Sequence, residues 1–298
     1  MKRLLLALLA LALASPAFAQ SFGETAGGAT VPGHANFCFT GATNADGSLA
    51  VVPCNSSNPL PVVVSSSAPG TAPVGVTMIT GNSTGTTGAV TGTLAGVANK
   101  TTYICGFTVN AIGGTAAVGP ITVSNTLTAN MVYQLTDVTT GVLFSQTYSP
   151  CIPATAANTA ITIATTASAG ATAVDVNSWG FQVATNPYPY TQITGNSTGS
   201  TGAVVGTLAG TSGKITYICG FSVSAAGGTA TIGPVTVANL ITGNMVYQGN
   251  STATGVTPIV QQFNPCVPAN AANTNITVTT TADGTATAVD VNSWGFQQ

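Results

Sequence analysis

From Ile79 onward the chain is one domain-sized unit written twice. Residues 79–107 (ITGNSTGTTGAVTGTLAGVANKTTYICGF) and 193–221 (ITGNSTGSTGAVVGTLAGTSGKITYICGF) match at 23 of 29 positions, at an offset of 114. The match continues through GGTA, NMVYQ, a Pro-Cys pair and AVDVNSWGFQ, with one residue inserted between Gln248 and Cys266. Solenoid units repeat every ~20–50 residues, so a period this long predicts tandem globular domains.

Residues 1–19 read as a secretory signal peptide. Lys2 and Arg3 precede the apolar run 4–14, and Ala17-Phe18-Ala19 forms a small-residue cleavage site before Gln20. That run is too short for a membrane span, which needs about 20 apolar residues. No later segment replaces it, and no cysteine follows the cleavage site to carry a lipid. The expected location is secreted: extracellular, cell-surface or periplasmic.

Without the signal peptide, the two cations Lys100 and Lys214 stand against six carboxylates, Glu24, Asp46, Asp137, Asp175, Asp283 and Asp290, a formal charge of −4. Nucleic-acid binding loses its main driving force, which is phosphate neutralisation by Lys and Arg. A soluble domain ordinarily carries a surface that is about 25–35 % charged. Here Thr, Ser, Asn and Gly must form it, which suits either resistance to proteolysis or packing against other copies.

The six cysteines divide as the repeats do. Duplication makes pairing within units the economical choice, giving Cys38–Cys54, Cys105–Cys151 and Cys219–Cys266. An oxidising compartment favours such bridges. With no CxxC and one histidine, His34, a metal or redox site is disfavoured.

Segments rich in Val, Ile, Thr and aromatics alternate with Gly, Asn and Pro punctuation, the pattern of a sandwich or barrel. In the first repeat strands are expected near 89–94, 101–110, 116–124, 131–137, 142–148, 160–166 and 171–182. The predicted fold is all-β: two tandem antiparallel β-sandwiches, jelly-roll-like, preceded by a small disulfide hairpin region. The expected divisions are 1–19 signal peptide, 20–78 flexible N-terminal region, 79–182 first sandwich, 183–192 linker and 193–298 second sandwich. Within 20–78, residues 20–35 read as Gly-rich and loose, 37–53 as a hairpin, and 58–75 as a Pro/Ser linker. Pro187 and Pro189 restrict the angle between the sandwiches.

Strand alternation assigns faces. In 102–109, Tyr103, Cys105, Phe107 and Val109 share an expected buried face, which turns Ile104, and by repetition Ile218, the other way. In the last strand Val174 and Val176 alternate with Asp175, while Trp179 and Phe181 share parity with Asp175 and Asn177. A bulge near Ser178 or Gly180 would return both sets to the core. Otherwise one set faces outward.

That strand is the candidate binding site. In a ligand-binding reading, Trp179 and Trp294 stack on a sugar ring while Asp175, Asn177, Asp290 and Asn292 hydrogen-bond it. In a structural reading the tryptophans anchor the core, and Asp and Asn satisfy loop backbone groups.

No catalytic site is expected. Nucleophilic triads need a histidine at the site, and His34 lies outside both repeats. Glycoside hydrolysis commonly needs two carboxylates across one bond. The first repeat has Asp137 and Asp175, the second Asp283 and Asp290, and only the Asp175/Asp290 position is common to both. The stretch 81–88 (GNSTGTTG) lacks the Lys of a phosphate loop and reads as turns. No cofactor or metal is expected.

The block K-x-TYICGF, GGTA, Pro-Cys-[IV]-Pro-Ala-x-AANT and WGFQ occupies 100–107, 113–116, 150–159 and 179–182, and again 214–221, 227–230, 265–274 and 294–297. It resembles an uncharacterised sandwich repeat of exported bacterial and phage-associated proteins. That resemblance covers both repeats but not 20–78. It implies a surface or virion-like structural or adhesive role and transfers no ligand residues.

The function expected is therefore a non-enzymatic surface protein, structural or adhesive, whose partner is itself or another surface protein. The alternative is a lectin-like protein with one glycan site per repeat. Ice binding through Thr-rich 277–281 is weaker, because regular Thr ladders are too short. An outer-membrane barrel is disfavoured because aromatic girdles are lacking.

Overall fold

A computed structural model describes residues 75–298 except 114–117, 136–141, 168–169, 228–231, 250, 253–254 and 283–285. Before residue 75 it describes the backbone of four short strands. Two compact units emerge, Met1–Ser65 and Ser66–Gln298.

In the first unit β1 (Gly23–Ala26) pairs antiparallel with β2 (Ala29–Pro32), and β3 (Phe37–Thr43) with β4 (Leu49–Pro53). The second pair is the expected hairpin. The first replaces part of an expected loose segment: the Gly-Gly dipeptide between the two runs is itself a hairpin signal, and overall Gly content masked it. Cys54, and with it the expected Cys38–Cys54 bridge, lies outside the described residues, as do His34 and the signal peptide.

The second unit holds both repeats. The first comprises β5 (Thr77–Gly85), β6 (Thr91–Leu94), β7 (Thr101–Ile112), β8 (Ile121–Ser124), β9 (Met131–Tyr133), β10 (Val142–Pro153), β11 (Ile161–Ala164) and β12 (Ala173–Val183). Its two antiparallel sheets run β10-β7-β12-β5 and β6-β11-β8-β9. Counted along the repeat these are orders 6-3-8-1 and 2-7-4-5, the winding of a jelly roll. The second repeat copies it with β13 (Thr191–Gly199), β14 (Val205–Leu208), β15 (Thr216–Ala226), β16 (Val235–Ala238), β17 (Met245–Tyr247), β18 (Ser251–Thr252), β19 (Gly255–Pro268), β20 (Ile276–Thr279) and β21 (Ala288–Gln297). Its sheets are β13-β21-β15-β19-β18 and β14-β20-β16-β17. Among the described residues no helix is long and apolar enough to cross a membrane.

Alternating Val, Ile and aromatic side chains from the two sheets fill each sandwich. Leu94, Phe107, Val109, Ile121, Val123, Ile161, Ile163, Val174 and Val176 are fully buried in the first. Each contributes roughly 1.5–3 kcal/mol by leaving water. The segment 81–88, expected as turns, lies largely in edge strand β5. Glycine is needed there because a Cβ on Gly81 would sit 2.2 Å from the Thr93 carbonyl oxygen of β6. Its composition therefore reflects close approach between strands, not a loop.

The bulge expected near Ser178 or Gly180 is absent: β12 runs unbroken, with Val174 and Val176 facing the core and Trp179 and Phe181 facing the other way, and the extra residue lies on the neighbouring strand. Register slips between Gly106 and Ile104 opposite Trp179 and Gly180, leaving Cys105 as the extra residue of β7. Cys219 repeats this in β15. The slip reverses parity, so Ile104 and Ile218 are fully buried. This corrects the outward placement expected for them, while Tyr103 goes to the opposite face, stacked on Phe181 at 4.6 Å. Disulfides Cys105–Cys151 and Cys219–Cys266 anchor the bulges to β10 and β19, as expected. Closing loops of 46 and 47 residues is worth about 4 kcal/mol each in the chain-entropy model.

The segment joining the repeats is pinned by aromatic stacking as well as restricted by proline. Tyr188 packs edge-on to Tyr103 and stacks on Tyr190, which stacks on Phe296, itself stacked on Tyr217. Asn186 accepts from the Tyr188 amide and donates to the Tyr190 carbonyl.

Candidate functional site

In β12 the side chains of Val174, Val176 and Ser178 point into the sandwich, so Asp175, Asn177 and Trp179 stand on the outer face. Register places Thr84, Asn82 and Thr80 of β5 on one side of them and Asn110, Thr108 and Gly106 of β7 on the other. The indole lies over Gly106, where a Cβ would come within 2.3 Å of Trp179 Cζ2. The second repeat builds the same face from Asp290, Asn292 and Trp294, flanked by Thr198, Asn196 and Thr194 and by Ser224, Ser222 and Gly220. All six expected site residues thus occupy one kind of surface, twice.

The two copies of this face meet different surroundings. In the second repeat, Asp290, Asn292 and Trp294 are 2 %, 1 % and 1 % exposed, because edge strand β9 of the first repeat lies across them. Val132 sits opposite Thr122 of β8, and its own N–H and C=O are met by the Asn292 carboxamide. Val132 N donates to Asn292 Oδ1 at 3.0 Å, and Asn292 Nδ2 donates to the Val132 carbonyl at 2.7 Å. One side chain thereby satisfies both backbone groups of an edge strand, as a neighbouring strand would. Beside it the Gln134 amide donates to Ser224 Oγ at 2.8 Å, and Gln134 Nε2 donates to Asp290 Oδ2 at 2.7 Å.

Further contacts close the interface. Thr128 and Thr194 hydroxyls are 2.6 Å apart, and Asn196 Nδ2 donates to the Ala129 carbonyl at 3.0 Å. Gln262 donates to the Thr147 carbonyl and Gln192 to the Cys151 carbonyl. Trp294 meets Tyr148 edge-on with centroids 5.4 Å apart, and the Tyr148 and Tyr133 hydroxyls are 2.7 Å apart. The first sandwich's core therefore runs onto the outer face of the second, taking in Trp294 and Cys219. Burial pushes the Asp290 carboxyl up to about 6, against the opposing pull of the Gln134 hydrogen bond, and raises the Tyr133 and Tyr148 phenols as well.

In the first repeat the equivalent Asp175, Asn177 and Trp179 are only half-buried. Leu143, opposite Asn110 in register, is 78 % exposed on this face. The Asn110 Oδ1 atom has no hydrogen-bond partner among the described residues.

For the second repeat the structural reading holds in substance: Trp294 anchors a core and Asn292 satisfies backbone groups. Trp294 is buried between repeats, not within its own core, and stacking a sugar on it would require the repeats to separate. Trp179 stays half-buried on the outer face of the first repeat. Sequence reasoning also missed Gln134, Thr128 and Tyr148, the residues that cover the second face. Of these three, only Gln134 lies in NMVYQ, the stretch identical in both repeats.

No protein-family model and no curated protein matches the chain. Among solved structures, a chain from the atomic structure of Sulfolobus Turreted Icosahedral Virus is similar at 12 % identity and a TM-score of 0.23. The match covers 74 % of this chain and 59 % of that one.

Proposed function

We propose that this is an exported, non-enzymatic structural protein whose paired jelly rolls are units of a larger surface assembly. The observation that carries this reading is the use of the Asp-Asn-Trp face as a protein-docking surface. In the second repeat that face holds another folded domain through backbone and side-chain hydrogen bonds and a buried indole. The first repeat presents the same face open. Two further features support it: disulfides suited to an oxidising compartment, and a surface of hydroxyls and amides instead of charges. Light scattering coupled to size exclusion, with negative-stain microscopy, on the oxidised mature protein is the test. Mass that grows with concentration is expected, and a monomer at every concentration contradicts an assembly role.

A second reading is favoured by the open Trp179 beside Asp175 and Asn177: a single glycan platform per chain, mediating adhesion. It predicts binding on a glycan array that Trp179→Ala abolishes. Binding that survives this substitution removes it.

A further inference from the structure

The contact between the repeats is heterologous: an edge strand of one jelly roll docks on the sheet face of the next. Each chain uses one edge and one face internally, which leaves one of each over. The leftover face is that of Asp175, Asn177 and Trp179. The leftover edge is β17 with the segment before it, the counterpart of β9.

We propose that copies of this chain join head to tail, the β17 edge of one docking on the β10-β7-β12-β5 face of the next, through the contacts that already join the two repeats. This deepens the assembly reading above and rests on it.

The parts of that contact are present at both free ends. On the edge, Thr242, Val246 and Gln248 stand where Thr128, Val132 and Gln134 stand in the first repeat. Val246 faces Thr236 of β16 in the same register that Val132 keeps with Thr122. On the face, Thr80, Asn82, Asp175, Asn177 and Trp179 stand for Thr194, Asn196, Asp290, Asn292 and Trp294. At the position of Ser224, which accepts the Gln134 amide, the open face carries the polar residue Asn110. Phe263 takes the place of Tyr148 and retains an aromatic ring to meet the tryptophan.

Exposure reports which half is vacant. Gln134 is buried and Gln248 exposed; Met131 and Tyr133 are buried, while Met245 and Tyr247 are half-buried. Ile241 and Val246 are 60 % and 55 % exposed at this end. The large apolar side chains Leu143 and Ile112 are exposed at the other. Segment 242–248 carries no charge, so it brings no repulsion to Asp175. Within a chain the linker keeps the two repeats at high effective concentration, whereas between chains that assistance is absent and association must depend on concentration. A heterologous contact closes into rings or extends into filaments according to its rotation.

Sedimentation velocity at pH 7.5 over a concentration series tests this with two surface variants of the mature chain. Gln248→Glu sets a carboxylate against Asp175 and disables the edge. Asn177→Lys disables the face. Wild type should grow in mass with concentration, each variant alone should remain monomeric, and an equimolar mixture should stop at a dimer, because one variant retains the edge and the other the face. Association of both variants equal to that of wild type overturns the proposed contact and leaves the assembly reading standing. A wild type that stays monomeric throughout overturns both.

Discussion

Substituting Asn292 and Asn177 separately by alanine sets one sequence motif in two environments. Asn292 satisfies the N–H and C=O of Val132 at 3.0 and 2.7 Å and also donates to Ser222 Oγ at 3.1 Å. Its site is fully buried, so water cannot replace the amide without opening the interface. Each orphaned buried polar group costs about 1–3 kcal/mol, so Asn292→Ala should lose about 2–5 kcal/mol. Asn177 is half-buried, and its only hydrogen bond among the described residues is a long one, 3.5 Å, to Thr108. Solvent replaces it, and Asn177→Ala should stay within about 0.5 kcal/mol of wild type. Urea unfolding of oxidised protein at low concentration reads both from the midpoint, provided the slope is unchanged. Equal losses in the two variants would refute the claim that the repeats differ by occupancy of this face.

Three more outcomes follow from the same geometry. The Asp290 carboxyl is raised from 3.8 to about 6 in the folded state, so the folded protein holds that proton more tightly than the unfolded chain does. Stability is then fully present below about pH 4 and is lost as pH rises through about 6, by about 2–3 kcal/mol; Asp290→Asn should flatten this part of the unfolding profile, and a variant with an unchanged profile contradicts the assignment. A methyl at Gly220 or Gly106 meets a backbone carbonyl, of Gln261 or Gln146, at 2.7 Å and the indole of Trp294 or Trp179 at 2.3 Å. Gly220→Ala should lose about 1–3 kcal/mol because Tyr148 holds Trp294, and Gly106→Ala should lose less because Trp179 can swing outward and only the carbonyl contact remains; the reverse order in denaturant midpoints would show that the indoles are held otherwise. Ile104→Ala should lose about 2–5 kcal/mol while Leu143→Ala stays within about 0.5 kcal/mol; a mild Ile104→Ala would return that side chain to the surface.

Much of the fold was legible in the sequence because duplication, cysteine pairing and strand punctuation are local or repeated signals. Seven of the eight strands of the first repeat fall where Val, Ile and Thr cluster, and the two repeat disulfides pair as the duplication requires. The eighth, β5, was hidden because glycine serves two physical purposes. At Gly81 it allows strands of opposite sheets to approach, yet composition reads the same residue as a turn. Faces failed for a different reason. A single extra residue at Cys105 reverses parity in β7, and strict alternation along that strand cannot show it. The asymmetry of the site was not legible at all. Asp175-Val-Asn-Ser-Trp179 and Asp290-Val-Asn-Ser-Trp294 are the same five residues, and what separates them is a neighbour brought in by chain order.

The chain has two tryptophans, one on each copy of the face, and this makes the central claim directly measurable. Trp294 Nε1 has no hydrogen-bond partner among the described residues, so exchange for phenylalanine removes no polar contact. Acrylamide quenching of Trp179→Phe and Trp294→Phe, at concentrations low enough to keep the chain monomeric, reports each indole alone. The Trp294 signal should be blue-shifted and weakly quenched, and the Trp179 signal red-shifted and strongly quenched. Equal quenching of the two would contradict the docked arrangement of the repeats.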